Sequence, residues 1–177
     1  TNLVENLLAV TKIEEGRMKL QKQPHLVEEI VSEALQHISR KQTEHIVTVH
    51  HENELLLAKC DARLIIQVII NLVDNAIKYT PAGSHITITT KQNERHTEIS
   101  VADNGAGIPD SEKEKVFQMF YSGSNPIADC RRSLGLGLSL CKSIITAHGG
   151  QIAVTDNAPA GTIFTFTIPS GEVEVHE

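Results

Sequence analysis

The stretch from Asp61 to Tyr79 constrains this chain more than any other. Leu64, Ile65, Val68, Leu72, Val73 and Ala76 recur at helical spacing, Asp61 stands where an N-cap belongs, and Pro81 and Gly83 close the run. The spacing predicts a long helix with one apolar face, and such a face has to be covered by a second layer. The residues that follow supply one. His85–Thr90 and Thr97–Ala102 alternate in polarity around the turn-rich Gln92–Arg95, the pattern of a hairpin, and Gln151–Thr155 with Thr162–Ile168 repeat it near the end. Val27, Ile30, Val31, Ala34, Leu35 and Ile38 predict a further helix over Leu26–Arg40, and another runs from Gly135 to His148 before Gly149 and Gly150. Ile46–His50 and Leu55–Lys59 are strand-like, Arg17–Gln21 alternates weakly as an edge strand, and Asp110–Phe120 reads as a short helix. Five or more strands, three main helices and antiparallel hairpins in place of strict βαβ alternation define an α+β layer sandwich.

Composition narrows the partners. A chain of 177 residues makes one domain, or one domain with a short piece of another. Folding at this size removes roughly 70% of the unfolded surface from water, so neither metal nor disulfide is required. No apolar run approaches the ~20 residues that span a bilayer, and no charged-then-apolar leader opens the sequence. Sixteen Lys and Arg face 22 Asp and Glu, a net charge of −6 that argues against nucleic acid or an anionic membrane as main partner. Cys60, Cys130 and Cys141 are odd in number, lack metal-ligand spacing and read as reduced thiols of a cytosolic protein. Beginning at Thr1 without Met, the chain reads as a segment of something longer. Leu3, Val4, Leu7, Leu8 and Val10 make Asn2–Glu15 a short amphipathic helix, better read as the end of a longer helical element than as a unit of its own.

Three constellations carry chemistry. On the long helix, Asn71, Asn75 and Lys78 lie at i, i+4 and i+7 and share one face. An amide oxygen suits a hard cation such as Mg²⁺ and a Lys suits phosphate, although a solvated helix face has the same spacing. Next, Asp103-Asn104-Gly105-Ala106-Gly107-Ile108-Pro109 directly follows a strand. Its glycines permit positive φ and close backbone approach. Asp103 presents a carboxylate able to accept from an exocyclic amine such as adenine's; an ordinary Asn-Gly turn is the alternative. Third, Gly135-Leu136-Gly137-Leu138-Ser139 opens a helix after the aperiodic Tyr121–Leu134, with Arg131 and Arg132 just before it. Backbone amides at a helix N-terminus hold phosphate, and arginines add charge-assisted donors. A lone G-x-G is weak, and neither a dinucleotide fingerprint nor a P-loop occurs.

In this order and spacing the boxes resemble those of the sensor histidine kinases. Asn71-Leu-Val-Asp-Asn75-Ala-Ile-Lys78-Tyr79-Thr80 is similar to their N box and Asp103-x-Gly-x-Gly107-Ile-Pro to G1. Phe117-x-x-Phe120 is similar to the F box, Gly135-Leu-Gly-Leu138 to G2, and Gly161-Thr162 with Phe164 to the closing glycine motif. The resemblance covers about Arg17 to Pro169. It implies the Bergerat ATP-binding fold, a mixed sheet of about five strands packed on three helices, with ATP between the helix layer and a mobile lid. It also implies roles. Asn75 would bind Mg²⁺, while Asn71 and Lys78 would contact phosphates or the ion and carry the catalytic work. Tyr79 would lie along adenine and Asp103 would take its amine hydrogen, with Gly105, Gly107, Ile108 and Thr162 around the base. The amides of Gly135, Leu136, Gly137 and Leu138, with Arg131 or Arg132, would hold phosphate oxygens. Asp129 to Ile145 further resembles the potassium-responsive KdpD-type sensor kinases.

The phosphoacceptor is missing. Those kinases phosphorylate a His in a helical H-[ED]-x-x-x-P motif, yet of the nine histidines only His51 and His176 precede an acid, Glu52 and Glu177, and Leu56 stands where Pro belongs after His51. Residues 1–16 then resemble the end of the dimerisation hairpin, 17–169 the catalytic domain and 170–177 a polar tail. The implied partners are the chain's own upstream phosphoacceptor helices, a cognate response regulator and a second copy through the hairpin. No nucleic acid is implied, and the implied setting is the cytoplasmic part of a membrane-anchored bacterial sensor, with any membrane contact made by segments outside this sequence. A nucleotide-gated regulatory module of the same fold, an anti-sigma-type serine kinase or an ATPase, is the alternative; a degenerate domain that binds no nucleotide is disfavoured by the intact Asn75, Asp103 and glycine pairs.

Overall fold

An apolar helix face organises the computed structural model, which describes residues 20–39, 44–52, 56–93, 95–118 and 136–170. In chain order its elements are β1 (Gln23–Leu26), α1 (Val27–Ser39), β2 (Ile46–His51), β3 (Leu57–Cys60), α2 (Ala62–Lys78), β4 (His85–Gln92), β5 (His96–Asp103), α3 (Asp110–Lys113), α4 (Leu136–Ala147), β6 (Gln151–Asp156) and β7 (Thr162–Pro169). Helix α2 buries Ile65, Val68, Ile69, Leu72, Val73 and Ala76, the stripe that the 3.6-residue period dictates. It lies between α1 and α4 and packs on β4 and β5, while α4 packs on β6 and β7.

The sheet order is β2–β4–β5–β7–β6, with β2 parallel to β4 and every other pair antiparallel. Register puts the buried residues on one face: Ile88 pairs with Val101 and Val101 with Phe164, while Ile99 pairs with Phe166. Alternate residues such as Thr87, Thr89, Ser100 and Thr165 are half-buried on the other face. The molecule is the expected α+β sandwich with a mixed five-stranded sheet. Truncating a fully buried side chain of this core, such as Leu72 or Phe166, costs about 2–5 kcal/mol.

Several boundaries differ from the sequence reading. The first strand among the described residues is Gln23–Leu26; of the expected edge strand Arg17–Gln21, residues 17–19 lie outside the described residues and Leu20 and Gln21 are not in a strand. Strand β1 forms a separate two-stranded sheet with β3, Gln23 opposite Cys60 and Leu26 opposite Leu57. Pro24, which has no N–H to donate, is tolerated in such an edge strand. Helix α3 stops at Lys113; beyond it the bonds become isolated turns, with Lys115 and Val116 both donating to the Glu112 carbonyl and Gln118 to that of Lys115. Asp61 holds the N-cap position of α2, but its side chain makes no cap bond. Its carboxylate accepts instead from the Gln21 amide at 3.2 Å and the Arg63 guanidinium at 3.4 Å. The expected helix Asn2–Glu15, the segment Tyr121–Leu134, Phe120 and residues 171–177 lie outside the described residues.

A buried polar pair ties the two ends of the helical layer. The Asp61 amide donates to Nε2 of His148 at 3.1 Å, and Nδ1 of His148 donates to the Ile144 carbonyl at 2.8 Å. With both ring nitrogens committed and the ring 2% exposed, His148 is the neutral tautomer; burial depresses its pKa. Burial alone would raise Asp61, but the Gln21 amide and Arg63 outweigh it and hold the carboxyl below its usual range. Among the described residues, no helix is long and apolar enough to cross a membrane.

Candidate functional site

Three loops converge at the C-terminal end of α2. The turn after β5 begins at Asp103, the β6–β7 turn carries Gly161, and Tyr79–Thr80 leave the helix between Lys78 and Pro81. Asp103 is the last residue of β5 and only 7% exposed. Its Oδ1 accepts the Gly105 amide at 3.0 Å and the Thr162 amide at 3.2 Å. Its Oδ2 carries no hydrogen bond among the described residues. Burial pushes the carboxyl up and the two amides pull it back only in part. The result is a carboxylate fixed by one oxygen and available through the other.

The glycines around it are demanded by space. A Cβ on Gly161, at φ +115°, would stand 2.0 Å from the Asp103 carbonyl oxygen. Gly107 has φ +82°, and a Cβ there would meet the Gly161 carbonyl at 3.2 Å. The Asn157 amide side chain donates to the Asp103 carbonyl at 2.8 Å, and its backbone N–H donates to the Gly161 carbonyl. Sequence reasoning missed Asn157 and the packing role of Gly161; the Gly161-Thr162 pair was the available signal.

The helix stripe faces α4. Asn71 accepts from Gln67 at 2.8 Å and donates to the Gly137 carbonyl at 3.4 Å, which joins the first constellation to the third at the start of α4. Asn75 is half-buried, and its amide makes no hydrogen bond among the described residues. Lys78 is exposed and Tyr79 is 52% exposed on the same end. Gly137 has open space where a Cβ would be. Ile108 and Leu138 are half-buried and pack against the core. Leu136 opens α4. Phe117 stacks edge-to-face on Phe164, with centroids 6.0 Å apart, a core contact. Arg131, Arg132 and Gly135 lie outside the described residues.

Chemically, the described residues bring an acceptor oxygen of Asp103 and close-approach glycines against the Tyr79–Thr80 end of α2, the helix that also carries the Asn75 amide and the Lys78 ammonium. Among the described residues there is no group of three His, Cys, Asp or Glu suited to a metal cage. The burial of Cys60 and Cys141 pushes their thiols to about 11 and about 12, which leaves both protonated and inert.

A family model described as histidine kinase-, DNA gyrase B- and HSP90-like ATPase matches residues 60–172. The chain is 42% identical over 167 residues to the sensor protein KdpD of Clostridium acetobutylicum, which covers 94% of this chain and 19% of that protein. It therefore spans less than a fifth of that relative's length. The nucleotide-free catalytic domain of histidine kinase ThkA matches with a TM-score of 0.73 at 32% identity, covering 86% of this chain and 97% of that one. The structure of ThkA in complex with response regulator protein TrrA matches with a TM-score of 0.74 at 30% identity, covering 96% of this chain and 48% of that one.

Proposed function

Because the chain belongs to the family of histidine kinase-, DNA gyrase B- and HSP90-like ATPases, we propose that it is the ATP-binding catalytic domain of a sensor histidine kinase, delivering the γ-phosphoryl group to a histidine in a preceding domain. The observation that carries this reading is Asp103. Its Oδ1 is held by two backbone amides and its Oδ2 is left to accept, the arrangement an adenine amine needs. Tyr79 offers a ring face beside it. Asn71 and Lys78 serve the phosphates from the helix stripe, joined by the amides that open α4 and by Arg131 and Arg132. Ile108 and Thr162 close the base side, Thr162 by holding Asp103 in place.

The residues fit Mg²⁺ as well. That ion keeps waters and substrate phosphates as ligands and asks little of the protein, so the Asn75 side-chain amide, which makes no hydrogen bond among the described residues, is a sufficient donor where those residues hold no carboxylate cage. When bound, the ion supplies neutralisation of phosphate charge. The chain's own part is positioning: phosphoryl transfer needs little covalent help and depends on in-line alignment. The accepting histidine belongs to upstream helices, since none of the histidines here stands in an acceptor motif. His148, the most buried, has both nitrogens committed.

The further setting follows from relatives. Likeness to the sensor protein KdpD supports a KdpD-type sensor; a response to potassium, anchoring in a bacterial membrane by other segments and dimerisation through a helical hairpin are what the motif resemblance implies. The ThkA–TrrA complex supports a response regulator as the next phosphate carrier. Calorimetry with ATP, with and without Mg²⁺, followed by incubation with γ-labelled ATP, is the test. ATP is expected to bind in a Mg²⁺-dependent manner and leave no acid-labile label on the 177 residues, and an upstream hairpin supplied with it is expected to be labelled. Absence of ATP binding, or stoichiometric label on a histidine of this chain, would refute the assignment.

A further inference from the structure

The two proposed adenine contacts, Tyr79 and Asp103, come from different elements, and Thr80 lies between them. Thr80 is 9% exposed, and its hydroxyl donates to the Ala76 carbonyl at 2.6 Å. A hydroxyl has one proton, so its oxygen can only accept from any other partner. That partner is His45, with Nε2 2.8 Å from the Thr80 hydroxyl oxygen and 3.3 Å from the Thr80 carbonyl. Two acceptors facing one nitrogen identify Nε2 as the protonated one. His45 directly precedes β2, whose first amide, that of Ile46, donates to the Ser84 carbonyl at 3.0 Å. The imidazole is thereby anchored to the strand beyond the turn that follows α2.

On its other side Thr80 abuts the turn after β5. A Cβ on Gly105 would fall 2.6 Å from the Thr80 methyl and 3.5 Å from the Tyr79 carbonyl. The Gly105 amide is one of the two that hold Asp103. The contacts therefore run without a break from His45 through Thr80 and Gly105 to Asp103.

We propose that His45 is a positioning residue for base recognition, setting through Thr80 the spacing between Tyr79 and Asp103. This rests on the reading of Asp103 as the adenine acceptor. A prop that only stabilised the fold would weaken every nucleotide alike, whereas one that sets this spacing changes discrimination at the base.

The test is calorimetry on the 177-residue chain with ATP and with ITP, whose base carries a carbonyl in place of the amine. Wild type is expected to prefer ATP. His45→Ala and Thr80→Val are each expected to weaken ATP about five- to tenfold and ITP much less. His45→Gln, whose side-chain amide can donate in place of Nε2, is expected to retain most of the preference. Should His45→Ala fail to melt cooperatively, Thr80→Val carries the same expectation. An unchanged ATP-to-ITP ratio in either variant, or equal losses for both nucleotides, overturns the inference. A ratio abolished by Asp103→Asn but kept by His45→Ala overturns it alone. A wild type blind to the base, or an Asp103→Asn chain with the wild-type ratio, overturns the adenine reading and this inference with it.

Discussion

Replacing Asp103 by Asn changes one atom in the proposed base site and leaves its scaffold standing. The remaining amide oxygen still accepts from Gly105 and Thr162, while the position of Oδ2 becomes an NH₂ donor. An adenine amine would then meet a donor where it had an acceptor. Losing that bond and leaving both groups unsatisfied costs about 1–3 kcal/mol, which is about 5- to 150-fold in ATP affinity. Stability is expected to move the other way. Burial raises the carboxyl above its unfolded pKa, so stability is fully present below about pH 4 and falls as pH rises through the folded value. Asn has no such ionisation. Asp103→Asn is therefore expected to unfold at pH 7 no more easily than wild type and to show a flatter acid profile. Calorimetry with ATP and GTP, beside denaturant melts from pH 4 to 7, measures both arms. A folded variant with wild-type ATP affinity would refute the base assignment.

Asn75→Ala should remove most of the Mg²⁺ dependence of ATP binding while adenosine binding persists, again by calorimetry. Gly161→Ala combines strained φ with a 2.0 Å backbone clash and should cost about 2–5 kcal/mol, whereas Gly83→Ala, at φ +86° with nothing within 4 Å, should cost about 1–2 kcal/mol. Denaturant melts should separate the two, and equal losses would show that space at Gly161 does not matter. Burial depresses His148, flanked by Asp61 and Lys22, so its contribution is present above the unfolded pKa of about 6.5 and lost as pH falls through the folded value, at up to about 1.4 kcal/mol per pH unit. His148→Gln should flatten that slope in melts between pH 7 and 5.

What could be read in advance followed from periodicity. The α2 stripe and the two hairpins are repeats of 3.6 and 2 residues, visible in any window that holds them, and the structure has them within a residue or two. The strand Gln23–Leu26 has no such repeat, contains Pro24 and exists because Leu57–Cys60 is there to pair with it. The parallel pairing of β2 with β4 likewise joins residues on opposite sides of a 17-residue helix. In the site, Asn71, Asn75 and Lys78 were legible as one face. The Asn71–Gly137 bond, the Thr162 amide on Asp103 and the Gly161 contact were not, because each spans more than 50 residues of chain and depends on packing that no local pattern encodes. Phe117 was marked by its spacing to Phe120, and its ring packs on Phe164.

The hydrogen bonds at Asp61 have a mechanical side. They clamp the first turn of α2 to Gln21 and to the end of α4, while the opposite end of α2 bears Tyr79 and Thr80. At 1.5 Å per residue, the 17 residues between make a strut about 25 Å long. A rocking of about ten degrees about its middle shifts each end by about 2 Å in opposite directions, a distance large enough to break a hydrogen bond. The Tyr79–Thr80 end and the Asp61 end are thus the two arms of one balance, and a load placed on either is felt at the other.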